Sequence, residues 1–411
     1  MNGEEIFSIG LGLVSPWVVK SVEFKAPDEL HTERELHIEI SFGRGSQFLD
    51  EDGALCDVHD TKAKTWRHLN FFQHKCYLHC NVPRIKTSKG QVLMVNVPWS
   101  RKESGFTLLF EWYAMKLIEN EMPINKIGEV LGEYPNRIWT IFNYWISKAY
   151  KQDQVGEVRQ LGIDETSRCK GHEYVTIAVD LERKRVLHAT PGKDAKTVER
   201  IKNYLQSKGI DPKQIEHASI DLSPAFISGL EMNFTEAEIH FDRFHVKKLL
   251  NEAMDELRRL ERKEHDLLKG HKYTFLKNPE NLSAQKKQEL EQMITLYPTL
   301  GEGYRLKVLF DEIWSMPTPG LASAFLDKWV REVERKKVTA FAKFARTVTI
   351  HKRGIINFFA TRISNGILEG INNKIQLARR RARGYRNLEN FINMIYYLCG
   401  KLAFDYPLKT T

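Results

Sequence analysis

Cysteine is scarce: Cys56, Cys76, Cys80, Cys169 and Cys399 are the five in 411 residues. An odd, unevenly spread set argues against a disulfide framework, so any collective role for cysteine falls to metal binding. Long apolar runs are missing too. Nothing at the N-terminus reads as a basic region followed by an apolar stretch, and no run approaches the roughly 18 residues of a membrane span. The expectation is a cytoplasmic protein with no membrane partner. No low-complexity segment or internal repeat is present. A chain of 411 residues is long for one domain and comfortable for two to four. Its net charge of +9 and pI near 9.1 allow a polyanion partner, but only clustering argues for one.

Residues 1–50 alternate in strand fashion, most clearly in ELHIEISF, where Leu36, Ile38, Ile40 and Phe42 share a face. Residues 51–100 read as further short strands, a small β module. From Phe106 the period turns helical, with apolar positions at Leu108, Leu109, Trp112, Met115 and Ile118. Pro123 then marks a helix start, Gly132 a turn, and Pro135 a second helix carrying Ile138, Ile141, Phe142 and Trp145. This spacing fits either a helix-turn-helix or a plain helical linker.

Strands return at QLGIDETS, YVTIAVDLERKRVLHATPG, IEHASID and AEIHFD, with a helix at AKTVERIKNYLQSKG between them, which implies a mixed α/β sheet. Between Val246 and about Phe344 the pattern is almost wholly helical, opening on the amphipathic run VKKLLNEAMDELRRLERKEHDLL.

Asp164 follows LGI and Asp221 follows ASI, each at the C-terminal end of an apolar strand-like run, the edge at which open α/β sheets bind ligands. Ser223 and Pro224 fit an N-cap and first helical position, and each acid alone also reads as a turn or cap residue. Glu369 lies near the start of a helix that Ser364 or Asn365 caps and Gly384 ends. Along it Glu369, Asn373, Gln376, Arg380 and Arg383 fall on one polar stripe, while Ile367, Leu368, Ile371 and Ile375 supply the apolar side. From Lys374 to Arg386 there are six basic residues, Lys374, Arg379, Arg380, Arg381, Arg383 and Arg386, and no acid. Ordinary ion pairing along the helix is therefore lacking, and the comb suits a phosphate backbone. Three gathered carboxylates would repel one another, and two divalent cations held between them would remove that repulsion.

The motifs GIDETSRCKGHEYVTIAVDLERKRVL, SIDLSPAF, FDRFHV and SNGILEGINNKIQLARRRARGYRNLENF, in this order, resemble the bacterial insertion-sequence transposases of the ISL-three family. The resemblance runs from about Cys56 to the C-terminus. It implies a multidomain α/β protein with an RNase H-like catalytic core interrupted by an all-helical insertion, preceded by a small zinc-finger-like β module and a helix-turn-helix. The resulting division is an N-terminal β segment at 1–50, the β module at 51–100, the helix-turn-helix at 101–153, the core at 156–248 and 346–405, and the insertion at 249–345.

The family's catalytic triad maps onto Asp164, Asp221 and Glu369, the acids that the residues themselves point to, with Mg2+ or Mn2+ as cofactor. Asp242 and His245, in FDRFHV, read as supporting or DNA-positioning residues, with Asn373 beside them. The family's N-terminal zinc-binding pairs are matched here by Cys56 and His59 alone, since RIKTSKG stands where the second pair belongs. The expected activity is binding of terminal inverted repeats, DNA cleavage and strand transfer into target DNA, with Asn136, Arg137 and Thr140 as contacts in the helix-turn-helix. Holding two ends together implies a homodimer or larger assembly, associated with the nucleoid when bound to DNA. Two alternatives stay open: a nuclease without strand transfer, and a non-catalytic DNA-binding regulator.

Overall fold

Period-two alternation builds the first sheet. A computed structural model describes residues 3–27, 34–169, 173–363 and 366–406. Helix α1 (Gly3–Gly10) is followed by β1 (Trp17–Lys25), β2 (Glu35–Phe42), β3 (Gln47–Leu49), β4 (Leu55–Phe71), β5 (His74–Lys86) and β6 (Val92–Met94). The strands pair in the order β1-β2-β5-β4-β3, with β6 on β5. Leu36, Ile38 and Ile40 are buried, as their spacing predicts. One edge of β2 is met by β1, and its other edge finds hydrogen-bond partners in β5, running parallel with Ile38 opposite Leu78. Strands from residues 1–50 and 51–100 therefore share one sheet and one core, which includes Trp17, Leu36, Cys76, Leu78 and Trp99.

Three helices complete the first unit, residues 1–151 with 403–411. They are α2 (Leu108–Glu119), α3 (Ile124–Leu131) and α4 (Pro135–Gln152). The Thr107 hydroxyl accepts the Phe110 N–H and caps α2. Helix α3 ends at Gly132, which takes φ 65°, the left-handed conformation that favours glycine. A Cβ on Gly128 would stand 2.7 Å from the Glu133 carbonyl oxygen, so the turn closes on a bare α-carbon. Glu111, in the first turn of α2, is buried. Its carboxylate accepts from Arg101 Nε at 3.0 Å, Ser104 Oγ at 2.6 Å and Trp145 Nε1 at 2.8 Å, which ties α2 to α4. Arg67 of β4, also buried, donates to the Leu131 carbonyl at 3.2 Å and faces Glu133, pinning the strand to the end of α3.

The second unit, residues 152–402, holds β7 (Gln160–Ser167), β8 (Tyr174–Asp180), β9 (Arg185–Pro191), α5 (Ala195–Ser207), β10 (His217–Ile220), α6 (Pro224–Asn233) and β11 (Glu238–Phe241). Its sheet order is β11-β10-β7-β8-β9, with β7, β8 and β9 antiparallel and with β10 parallel to both β7 and β11. A helical stretch follows: α7 (Arg243–Arg262), α8 (Lys272–Leu276), α9 (Ala284–Leu296), α10 (Pro298–Asp311), α11 (Pro319–Lys336), α12 (Thr339–Ile350) and α13 (Lys352–Thr361). The expected run to Leu268 stops at Arg262, because five polar residues from Glu261 to His265 interrupt the apolar spacing. Last come α14 (Gly366–Arg381) and α15 (Leu388–Cys399).

Helix α14 is seated on β7. A Cβ on Gly162 would come within 2.9 Å of Leu368 and 2.7 Å of Leu181, so glycine lets the helix approach the strand closely. The helix ends where Arg383 (φ 57°) and Gly384 (φ 95°) turn left-handed and the Gly384 N–H reaches the Arg379 carbonyl at 2.9 Å. The expected cap at Ser364 or Asn365 lies outside the described residues. Among the described residues no helix is long and apolar enough to cross a membrane.

Candidate active site

The parallel register carries the acids to one level. Residues His217 and Ser219 of β10 lie opposite Gln160 and Gly162 of β7, so two residues further on Asp221 falls level with Asp164. On the other side Ile220 pairs with Phe241, and the Asp242 N–H donates to the Ile220 carbonyl at 3.0 Å, which brings Asp242 level with Asp221. Three aspartates therefore stand side by side across three adjacent parallel strands, about 4.8 Å apart per step.

Each is held differently. Asp164 Oδ1 accepts the Glu165 N–H at 2.8 Å, and Oδ2 accepts from Asn372 Nδ2 at 2.7 Å. Asp221 Oδ1 accepts the Ser223 N–H at 3.0 Å. Ser223 precedes α6 without capping it through its hydroxyl. Asp242 caps α7 through the Phe244 N–H at 2.9 Å, and its second oxygen meets His245 Nδ1 at 2.8 Å.

Burial drives the Asp164 carboxyl up to about 6. The Glu165 amide and His245 pull it down, while Asp221 and Asp242 push it further up. His245 moves upward as well, first through its bond to Asp242 and then through the charges of Asp242, Asp221 and Asp164, against its own burial. Burial also raises Glu165, opposed by Lys193. The result is a crowd of carboxyls bordered by His245, Lys193 and Lys248.

Helix α14 approaches this row with the face bearing Leu368, Asn372, Gln376 and Arg379. Gln376 Nε2 donates to Thr166 Oγ1 at 2.8 Å, and Arg379 Nη1 to the Ser167 carbonyl at 2.9 Å. Asn372, rather than the expected Asn373, makes the contact with Asp164; Asn373 is exposed. Leu368 fixes the phase, since a residue four further on returns to the same face and one five further on has turned past it. Glu369 is exposed, in the first turn of α14, directly after the residue that meets Gly162. It is not among the groups that act most strongly on Asp164.

Asp164 and Asp221 offer only oxygen, the donor that hard divalent cations prefer, and Asn372 Oδ1 beside Asp164 is buried without a partner among the described residues. No contact joins Glu369 to them, and among the described residues these carboxylates do not draw together as closely as a three-ligand metal group.

Of the basic comb, Lys374, Arg380, Arg381, Arg383 and Arg386 are exposed, whereas Arg379 is half-buried and spent on Ser167. In the first unit Asn136, Arg137 and Thr140 are exposed on the first turns of α4. Arg137 is engaged locally, pairing with Glu133 at 2.5 Å and lying 4.3 Å over the Phe106 ring. The Thr140 hydroxyl donates to the Asn136 carbonyl at 3.0 Å.

Cys56 and His59 belong to no three-ligand metal group among the described residues. No third ligand joins them, His59 is exposed, and the Cys56 thiol contacts Asp50 at 3.8 Å. Burial, Asp50 and Asp57 all raise that thiol's pKa, which opposes the thiolate that zinc requires. Cys76 and Cys80 are core residues of the first sheet, both raised to about 12 by burial.

A helical pair with a glycine turn in one unit, and aspartates gathered across parallel strands beside a basic helix in the other, define a DNA-processing protein. Similarity to known proteins places it more narrowly. A family described as transposase matches residues 161–395, more than half the chain, and a helix-turn-helix domain of transposase family ISL3 matches residues 95–146. The chain belongs to this family and is an insertion-sequence transposase with a helix-turn-helix DNA-binding domain and a DDE transposase domain. It is 24% identical over 352 residues to the transposase for insertion sequence element IS1001 of Bordetella parapertussis, covering 83% of this chain and 86% of that one. To the transposase for IS1557 of Mycobacterium tuberculosis it is 25% identical over 384 residues, covering 85% and 83%.

Proposed function

We propose that this transposase binds the terminal inverted repeats of its element and catalyses metal-dependent strand cleavage and strand transfer with Asp164, Asp221 and Glu369. The bond from Asn372 to Asp164 carries the reading, because it docks the helix of Glu369 against the strand that carries the first acid. The five-stranded mixed sheet, with acids level on two adjacent parallel strands, supports an RNase H-like core at 156–248 and 346–405 around the helical insertion at 249–345.

Magnesium or manganese ions, bound by these oxygens, would supply activation of the attacking oxygen and stabilisation of the leaving one. The chain's own residues do the rest. Asn372 and the Glu165 amide orient Asp164, and the seat of Leu368 on Gly162 fixes the start of α14. His245 holds its Nδ1 proton against Asp242, and the aspartates favour its charged form, beside the place where phosphate oxygens would approach. Lys374, Arg380, Arg381, Arg383 and Arg386 take the flanking backbone, and Asn136, Arg137 and Thr140 enter the repeat. Water attack breaks a phosphodiester at the element boundary and leaves a 3′ hydroxyl. That hydroxyl then attacks a target phosphodiester and displaces its 3′ oxygen. Two ends held together require a dimer or larger assembly.

The test is cleavage of a labelled duplex carrying the element's end, with magnesium or manganese, for wild type beside Glu369→Gln. Cleavage at the boundary and joining to a labelled target, both lost in the variant while DNA binding persists, are expected. Cuts without joined products would leave a nuclease. Binding with no cleavage by either protein would leave a regulator.

A further inference from the structure

Behind the row of aspartates, on the same two strands, lies a second cluster of ligating side chains: His217 and Glu238 at the strand starts and His240 two residues before Asp242. His217 begins β10 opposite Glu238, and His240 stands two residues along β11 on the same face as Glu238. Their ligating atoms all lie within 4.8 Å of one another. His240 Nε2 is 3.1 Å from His217 Nδ1, and His217 Nδ1 is 3.9 Å from Glu238 Oε2.

Thr361 Oγ1, which donates to the Asn357 carbonyl, lies 3.4 Å from His240 Nδ1, on the side of the ring away from His217. It offers an acceptor for an Nδ1 proton when Nε2 faces an ion. This is how a metal-binding imidazole is arranged: one nitrogen toward the ion, the other N–H held by an oxygen. His240 is buried and its charged form is disfavoured, so the ring is neutral, as a ligand must be.

We propose that His217, Glu238 and His240 form a second metal site, for zinc or an ion of similar preference, that clips β11 to β10. Two imidazole nitrogens and one carboxylate oxygen suit zinc rather than magnesium, and a fourth position stays open to water because Glu238 is exposed. Zinc–nitrogen bonds of about 2.0–2.1 Å in a tetrahedron separate the two nitrogens by roughly 3.4 Å, so the rings need to part by only a few tenths of an ångström. The site shares no ligand with the aspartates: His217 lies roughly 13 Å of strand from Asp221, and His240, its nearest member, lies two residues, roughly 7 Å, before Asp242. It acts on them through the strands. β11 is an edge strand of four residues, and a ligand bridge at its start holds the register that sets Asp242 beside Asp221. The inference does not depend on the proposed chemistry at the aspartates.

The test uses the full-length protein, stripped with chelator and titrated with Co2+ in excess Mg2+, then with Zn2+. Wild type should take up one equivalent at micromolar metal, with a four-coordinate cobalt spectrum lacking thiolate bands, and Zn2+ should displace it and raise the melting temperature. His217→Gln should lose that uptake. Thr361→Val, which leaves all three ligands in place, should weaken it about 10–100-fold. Asp164→Asn should retain it. Uptake unchanged in His217→Gln and Thr361→Val overturns the proposal, as does no uptake by wild type. Uptake lost in Asp164→Asn but kept in His217→Gln assigns the ion to the aspartates and equally overturns it.

Discussion

The two sheets use polar side chains in opposite ways. In the first, Cys76 and Cys80 sit mid-strand with their side chains in the core, and neither meets a ligand partner among the described residues. In the second, Asp164, Asp221 and Asp242 stand level across three parallel strands, two of them on the residue that follows its strand. Asp221 and Asp242, just past parallel strands, face an open edge where like charges collect, whereas Asp164 lies within β7 and is brought level with them by the strand register.

The sharpest way to break this comparison is to discharge the crowded row. Asp164→Asn should lower boundary cleavage by at least about 10^2–10^3-fold, the scale on which single electrostatic groups act, while making the metal-free protein more stable near neutral pH. The folded carboxyl is raised from the ordinary 3.8 to about 6, so it binds its proton more tightly than the unfolded chain does. Its favourable contribution is complete below about pH 4 and is lost as the pH rises through about 6. The cost at neutral pH is at most about 3 kcal/mol. The amide gives up one of two acceptor positions, so a net gain of about 1–2 kcal/mol is expected. Urea unfolding of both proteins without metal, from pH 4.5 to 8, should show curves that diverge upward with pH. A variant less stable than wild type at pH 8 would break the picture of an uncompensated charge.

A finer contrast separates neighbours on α14. Asn372→Leu should cost about 10–100-fold in cleavage, as removal of a supporting partner does at metal sites, and Asn373→Leu should cost little. Circular dichroism and DNA binding would confirm that both variants fold. Equal losses at the two positions would mean that α14 is turned from the phase set by Leu368.

That pair also marks where the sequence stops being legible. Strand and helix periods, Gly132 and Pro135 at the helical turn, and Gly384 at the end of α14 are all visible as local chemistry. The rotation of α14 is not. Its apolar arc, Leu368, Ile371 and Ile375, leaves polar residues on both flanks, and only the close approach at Gly162 selects the flank with Asn372. Glu111 escapes for a related reason: an acid reads as surface until the loop residues Arg101 and Ser104 and the distant Trp145 converge on it. The parallel pairing of β2 with β5 leaves no trace in either strand alone, so residues 1–50 read as a separate segment. The His217–Glu238–His240 cluster needs the register of β10 and β11 before its members can be seen to meet.

The smallest effect separates the two kinds of basic residue on α14. Arg379 is bonded to Ser167 and belongs to the seat of the helix, whereas Lys374 and Arg380 are exposed and have no hydrogen bond or ion pair among the described residues, so they remain for phosphate. Lys374→Ala with Arg380→Ala should therefore weaken binding to any duplex alike and reduce the slope of log affinity against log salt by about 1.8, at about 0.9 for each phosphate no longer neutralised. Arg379→Ala should leave the slope nearly unchanged and lower the melting temperature by a few degrees, the response to removing about 1 kcal/mol of hydrogen bonding. Binding isotherms from about 50 to about 200 mM salt measure the first effect, on the range over which counterion release is usually read. A slope that falls with Arg379→Ala, and not with the exposed pair, would place the DNA backbone on the sheet side of α14 and undo the division of labour drawn between its faces.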